Sequence, residues 1–335
     1  MDDSESPSPP RPTLPDPWAS VPVPLTGPLE RTSFAVGMVQ WATGLIGLGV
    51  AFIAFQFVVA PVVLVALLGV EGLQSLGRPE DLMRYTRELI LANSAGQILG
   101  LAAVTLLLTR LHTPRAAGFL RLRMPDGTLV GLAAAGVIVL QPVVQWLAAV
   151  NQDLPVPDAF RALDESQRQL IEQVMQGDLG LFFGLTMLAV VPGICEEVLF
   201  RGYAQRQFER GLGTAGGIVL SGVLFGLYHL RPSQLIPLAV LGIYLAYLTW
   251  RTGSLWPAII VHFLHNGIAV SGTHWAKQQG YDIASMDTLS VPGYAIGAGA
   301  VLFGGILYIL HRRAAALLKE RAVSSSSSPP TDHAL

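Results

Sequence analysis

The chain has 335 residues, of which 51% are hydrophobic and only 13% are charged, and its mean hydropathy is +0.50. A soluble protein of this size would need a more charged surface, so the composition indicates a polytopic membrane protein. The net charge of −2 gives no basic field that would point to nucleic acid as a partner, and one cysteine, Cys195, excludes an internal disulfide and CxxC metal sites.

Both ends of the chain are predicted to be flexible tails. The first 33 residues are rich in proline, begin with acidic residues and lack the basic region of a signal peptide, so we expect a disordered tail over 1–33. The serine- and proline-rich end predicts a second flexible tail over 314–335. The transmembrane helical domain is therefore expected over 34–313.

Between the tails, apolar runs of about 20 residues predict eight transmembrane helices and an all-α polytopic fold. The first run is overlong, and either Pro61 kinks it or it contains a span plus an interfacial segment. The eight runs cover roughly 34–70, 89–109, 128–150, 180–203, 214–231, 234–250, 255–271 and 292–311.

Arginine placement predicts the orientation of these spans. With eight spans, three basic segments fall on one side, which we assign to the cytoplasm together with both termini. These segments contain Arg110, Arg115, Arg121 and Arg123, then Arg206 and Arg210, then Arg312, Arg313, Lys319 and Arg321. The loop 151–179 on the opposite side is acidic. We expect a multi-pass protein of a plasma membrane, the inner membrane in a bacterium.

The fourth span contains two adjacent acids, Glu196 and Glu197, which are costly in a membrane. Each ionisable residue at a helix centre costs about 2.5–3.5 kcal/mol on insertion. Arg201 follows Glu197 by four residues on the same helix face and offsets part of this cost. Glu196 points about 100° away and is left to face another group. A glutamate in a low-dielectric cavity has a raised proton affinity, which suits a general base.

Two later spans carry further polar side chains. His229 ends the sequence FGLYHL in the fifth span, while His262 and Asn266 lie four residues apart in the seventh. A histidine can share a proton with a glutamate, and an asparagine amide can donate to a developing oxyanion. The set suits activation of water against a peptide carbonyl. Glu196, His229 and His262 are also the residue types of a catalytic zinc site, so a divalent metal stays open.

These residues resemble the three motifs of the CPBP family of intramembrane proteases, which includes the type II CAAX prenyl endopeptidases and the bacterial Abi proteins. EExxxR is similar to Glu196–Arg201, FxxxH to Phe225–His229, and HxxxN to His262–Asn266. The order matches, and the similarity covers about residues 180–271, the expected catalytic core. No HExxH, GxGD or GxSG sequence points to another class of intramembrane protease.

The resemblance implies an eight-helix fold with a cavity that opens towards the cytoplasm. It implies that Glu196 activates water with help from His229, that Glu197 and Arg201 support the site, and that His262 and Asn266 stabilise the oxyanion. Although the family is often labelled metalloprotease, we expect no essential metal. The expected substrate is a hydrophobic, lipidated or membrane-anchored peptide or protein held in the bilayer.

Several alternatives stay open. The acid pair could be only a structural ion pair with Arg201, and His265 could replace His262. The chain could be a membrane scaffold or bacteriocin-immunity-type protein without turnover, or an ion-coupled transporter. One depth mismatch also needs resolving. The predicted spans place Glu196 and His229 about 12 Å apart along the membrane normal, unless the fifth helix starts late, tilts, or the fourth continues through AQRQFERG.

Overall fold

The computed structural model describes residues 13–14, 16–19, 22–31, 40–76, 84–176, 179–281 and 291–327. Helices dominate, and the strands β1 (Thr13–Leu14) and β2 (Val23–Pro24) form a short antiparallel pair. The helices within the described residues are α1 (Gln40–Ser75), α2 (Thr86–His112), α3 (Ala116–Phe119), α4 (Gly127–Gln152), α5 (Asp158–Gln176), α6 (Leu181–Tyr228), α7 (Leu235–Thr252), α8 (Trp256–Gln278) and α9 (Gly293–Ser327), with 3-10 turns at Leu29–Arg31 and Pro232–Gln234.

The structure confirms an all-α, multi-pass membrane protein, although not the count of eight spans. Among the described residues, six helical stretches are long and apolar enough to cross a bilayer. The predicted spans 180–203 and 214–231 lie in one of them, α6. Helix α8 is not among the six, because its histidines, Asn266 and Lys277 lower its hydropathy. The six are Gln40–Ser75, Thr86–His112, Gly127–Gln152, Leu181–Tyr228, Pro232–Thr252 and Gly293–Ser324.

The overlong first run forms one helix through Pro61. A π-helical segment, Ala54–Val59, lies just before this proline, which has no N–H to donate to the preceding turn. The backbone leaves helical geometry later, at Gly69, where φ is +67°. The first run therefore divides into a long arm, 40–68, and a short one, 70–75.

Helix α6 is a hairpin that breaks at Gly213, where φ is +74° and ψ is 172°. The first arm, 181–212, is about 48 Å long and exceeds the bilayer core, whereas the second, 214–228, is only about 22 Å long. Glu196 lies 17 residues before Gly213 and His229 lies 16 residues after it. The predicted depth mismatch therefore disappears, because the fourth helix continues through AQRQFERG.

The N-terminal segment is packed where the structure describes it, which corrects the prediction of a disordered tail for those residues. Leu14, Trp18, Val23 and Leu25 are each at most 6% exposed. Three of them join a core cluster with side chains of α3 and α6. Proline-rich composition hid this segment, because its partners are far away in the sequence. Residues 1–12 lie outside the described residues.

The C-terminal region also departs from the predicted tail over 314–335. Helix α9 continues to Ser327 and buries Ala314 completely against α4 and α7. Arg321 donates a hydrogen bond to the carbonyl of Trp18 at 3.2 Å, so this helix reaches the N-terminal segment. The remaining residues, 328–335, are outside the described part.

Candidate active site

The predicted pairing of Glu197 with Arg201 is present in the middle of the bundle. Nη1 of Arg201 donates to Oε1 of Glu197 at 2.9 Å, and both side chains are completely buried. Nη2 of Arg201 donates to the carbonyl of Gly242 in α7 at 3.0 Å. The arginine therefore neutralises one acid and ties α6 to α7.

Two glycines allow this tie. Gly242 of α7 lies against Gly222 of the second arm of α6, and a Cβ on Gly242 would come within 2.8 Å of the Gly222 carbonyl oxygen. Small residues let helix backbones approach closely in membranes. The contact brings the Gly242 carbonyl within reach of Arg201.

His262 is held by the same acid. Its Nδ1 lies 2.8 Å from Oε1 of Glu197, and its side chain is 3% exposed. A carboxylate accepts a hydrogen bond, so Nδ1 carries the proton in the neutral ring and Nε2 carries the lone pair. That Nε2 faces Oε2 of Glu196 at 3.9 Å. Glu197 thus orients His262 towards Glu196.

His229 approaches Glu196 from the second arm in a similar way. Nδ1 of His229 lies 2.8 Å from the carbonyl of Phe225, which can only accept, so Nδ1 donates and Nε2 is unprotonated in the neutral ring. Nε2 lies 3.9 Å from Oε2 of Glu196. The buried Phe225 ring packs edge-on against both imidazoles and lies under the Arg201 guanidinium at 4.3 Å.

Glu196 is the centre of this arrangement. Its side chain is 9% exposed, and its Oε2 has no hydrogen-bond partner in the described part of the chain. A distance of 3.9 Å to each Nε2 is too long for a direct hydrogen bond but can be bridged by one water. A carboxylate and an imidazole lone pair that converge on one water can remove its proton. His229 is 27% exposed, which leaves one side of the site open.

The three groups do not form a zinc site as they stand. Tetrahedral zinc holds its ligand atoms about 3.4 Å apart, given bonds of about 2.0–2.1 Å. Oε2 of Glu196 is 3.9 Å from each imidazole nitrogen. Across the described ranges, no group of three or more His, Cys, Asp or Glu side chains has the spacing for a metal ion.

Asn266 lies one turn beyond His262 and contacts the backbone of α6. Its Nδ2 donates to the carbonyl of Leu188 at 3.3 Å. Pro192, four residues after Leu188, has no N–H for this carbonyl, and the helix is π-helical over Thr186–Val190. The structure therefore brings five of the six predicted site residues around Glu196. It gives Asn266 a helix-to-helix hydrogen bond, with one amide N–H left over.

Two neighbours complete the site. His265, the alternative to His262, has its Nδ1 3.2 Å from the Gln141 amide of α4 instead of a glutamate. Tyr228 was missed by sequence reasoning. Its hydroxyl is buried without a hydrogen-bond partner among the described residues, and its ring lies 5.9 Å from that of His229. Its position beside His229 in FGLYHL was the available signal.

Residues 178–268, about a quarter of the chain, match the family model described as Type II CAAX prenyl endopeptidase Rce1-like. The matched segment contains all three motifs and every predicted site residue. It confirms the resemblance to the CPBP proteases and supports a membrane protease of the CAAX type. No curated protein and no solved structure matches the chain.

Proposed function

We propose that this protein is an intramembrane endopeptidase in which Glu196 activates the attacking water. The observation that carries the proposal is the convergence of two imidazole Nε2 atoms on the unpartnered Oε2 of Glu196, each at 3.9 Å. A purely structural carboxylate in a membrane would be hydrogen-bonded, because an unsatisfied buried charge is costly.

The reaction would proceed by general acid–base catalysis. Glu196 takes a proton from water while the water oxygen attacks the peptide carbonyl carbon, which forms a tetrahedral oxyanion. Glu196 then returns the proton to the amide nitrogen, and the C–N bond breaks to leave a new carboxyl and a new amine. His229 orients the water through its Nε2, and no step uses a metal.

Oxyanion stabilisation is assigned to His262 and Asn266. His262 can donate from Nε2 only when the ring is doubly protonated, and the adjacent Glu197 carboxylate favours that state. Asn266 keeps one amide N–H beyond the bond to Leu188. A donor aimed at a developing oxyanion contributes about 3–4 kcal/mol in other hydrolases.

The proposed substrate is a membrane-associated or lipidated peptide or protein. The site lies among apolar helices about 17 residues from the basic end of α6, so a substrate must enter the bilayer to reach it. The apolar walls suit a hydrophobic or lipid-modified segment, whose peptide bond would be cut near the membrane surface.

The test maps protein termini by mass spectrometry in native cells that carry wild type or Glu196→Gln, with membrane levels matched. The isosteric amide keeps the shape of the site but cannot accept the proton. Glu165→Gln, at an exposed acid of α5, is the matched control. New C-termini present in wild type and Glu165→Gln, absent in Glu196→Gln, would establish the peptidase and name its substrates.

The opposite outcome is equally informative. If no terminus depends on Glu196 while the cellular function persists in Glu196→Gln, the peptidase proposal fails. The chain would then be a scaffold that keeps the fold without turnover.

A further inference from the structure

A basic cleft lies where the N-terminal segment, the loop after α2 and the end of α9 meet. Its volume is about 660 Å³, within the range of small-molecule sites. The proposed peptidase chemistry uses none of its residues. Besides Asp16, its charged lining is entirely arginine: Arg110, Arg115, Arg121, Arg123 and Arg321.

Most of these arginines have no acidic partner. Asp16 is bound to Arg206 at 2.7 Å, and Arg121 is bound to Glu209 at 2.6 Å. None of the other four guanidinium groups forms an ion pair within the ranges that the structure describes. Several unneutralised cations in one concave surface create a strong positive potential, which attracts anions.

Trp18 fixes two of the cations in place. The guanidinium of Arg123 lies 4.6 Å from the Trp18 ring centre and that of Arg321 lies 5.5 Å from it. Both also donate to the Trp18 carbonyl, at 2.8 Å and 3.2 Å. Burial, followed by the nearby arginines, lowers the pKa of Arg123 to about 10 despite the opposing effect of Asp16, so it is still charged at pH 7.

The cleft adjoins surface that faces lipid. Arg110 is in the last turn of α2, whose Leu107 and Leu111 are 68% and 42% exposed. Met124, on the rim of the cleft, is 76% exposed. Tryptophan and arginine beside the end of an apolar helix are typical of the membrane–water interface.

We propose that this cleft binds the phosphate headgroup of an anionic phospholipid. Guanidinium forks hold phosphate oxygens in paired hydrogen bonds, and basic pockets at helix ends bind such headgroups. The acyl chains would lie along Leu107 and Leu111. The occupant is a lipid because the cleft opens beside exposed leucines of a spanning helix.

The test is native mass spectrometry of the purified full chain with phosphatidylglycerol or phosphatidylethanolamine at equal mole fraction. The variant is the double substitution Arg110→Gln and Arg115→Gln, at two exposed side chains. The matched control is Arg312→Gln with Lys319→Gln, which removes the same charge outside the cleft. Unfolding temperatures establish that both variants fold.

We expect wild type and control to retain one phosphatidylglycerol in preference to phosphatidylethanolamine. The cleft variant should lose at least about tenfold in affinity, since charge-assisted hydrogen bonds are lost. Unchanged binding in the cleft variant would overturn the proposal, as would an equal loss in the control, which would indicate general charge attraction. Displacement of the lipid by equimolar soluble glycerol phosphate would instead identify a soluble phosphate as the ligand.

Discussion

The first arm of α6 carries two buried charge clusters that differ in how well their acids are satisfied. At mid-membrane, Oε2 of Glu196 and Oε2 of Glu197 have no hydrogen-bond partner within the described residues. Near the basic end, every carboxylate oxygen of Asp16, Glu30 and Glu209 accepts a hydrogen bond.

The difference separates two uses of buried charge. The fully bonded cluster joins the N-terminal segment, α2 and α6, and its energy is spent on holding them together. The partly bonded cluster keeps acceptor oxygens available for a reactant. Proteins tolerate such incomplete satisfaction mainly at functional sites, because it otherwise only destabilises the fold.

The largest expected effect is on activity at the partly bonded cluster. Glu196→Gln should lower the rate of peptide hydrolysis at least about 100-fold, because it removes a general base. Its unfolding temperature should stay the same or rise, since a buried unpaired charge disappears. Turnover of a substrate found by terminus mapping and thermal unfolding in detergent check this. A clear loss of stability would instead place Glu196 with the structural acids.

Next in size is removal of the shared cation. Arg201→Met leaves Glu197 as an uncompensated buried charge and should cost about 3–5 kcal/mol of unfolding free energy. Adding Glu197→Gln to this variant should recover part of the loss, because the isolated charge is gone. A double-mutant cycle of unfolding measures the coupling. Simple additivity of the two changes would contradict the pairing.

The fully bonded cluster should respond to acid. Burial alone would raise the pKa of Glu30, but hydrogen bonds from His112 and Arg210 outweigh it and lower the pKa from 4.5 to about 2. The folded protein therefore binds fewer protons than the unfolded chain, and this stabilisation is complete above about pH 4.5 and lost as the pH falls towards 2.

Glu30→Gln should accordingly destabilise the protein by about 1–3 kcal/mol at pH 7, with the difference from wild type shrinking below pH 4.5. Unfolding temperatures of both proteins across this range give the measurement, and Glu320→Gln at an exposed acid serves as control. A difference independent of pH would mean that the charge of Glu30 is unimportant.

A smaller effect is expected where α6 and α7 touch. Gly242→Ala places a methyl group against the Gly222 carbonyl and should cost about 1–3 kcal/mol by overpacking. It should also reduce hydrolysis, because Arg201 loses its backbone acceptor. Gly304→Ala, whose added methyl group meets no atom within 4 Å, is the control. Equal unfolding temperatures for the two variants would show that the glycine contact is not needed.

The smallest effect concerns the unpaired hydroxyl of Tyr228. Tyr228→Phe removes a buried group without a partner in the described ranges, so stability should change by less than about 1 kcal/mol. Turnover should be unchanged if the hydroxyl only fills space beside His229. A reduced rate with unchanged stability would move Tyr228 from the packing around the site into the partly bonded cluster.

Local features of the site were predictable from the sequence. The pairing of Glu197 with Arg201 followed from a four-residue spacing in a helix, and the motif order indicated which histidines to bring together. The length of α6 was not predictable from hydropathy, because Arg206, Glu209 and Arg210 end the apolar run although the helix continues. Those charges are satisfied by distant residues that a local window does not contain.

The packed N-terminal segment escaped sequence reasoning for the same reason. Asp16 and Arg206 are 190 positions apart, and a proline-rich composition indicates disorder when no partner is visible. The contact between Asn266 and Leu188 was hidden too, because it depends on a carbonyl that Pro192 leaves available. Each miss involves a long-range contact, whereas the confirmed features depend on spacing within one helix.

The nearly equal arms on either side of Gly213 make the hairpin a ruler. A single residue inserted between Glu196 and Gly213 would shift Glu196 by about 1.5 Å along the axis and rotate it by about 100°, away from both imidazoles. The same insertion within the stretch 113–126 between α2 and α4 would be absorbed by non-helical backbone. Length changes are therefore forbidden in the arms of α6 and permitted between helices, so the catalytic distance is encoded in residue count as much as in residue type.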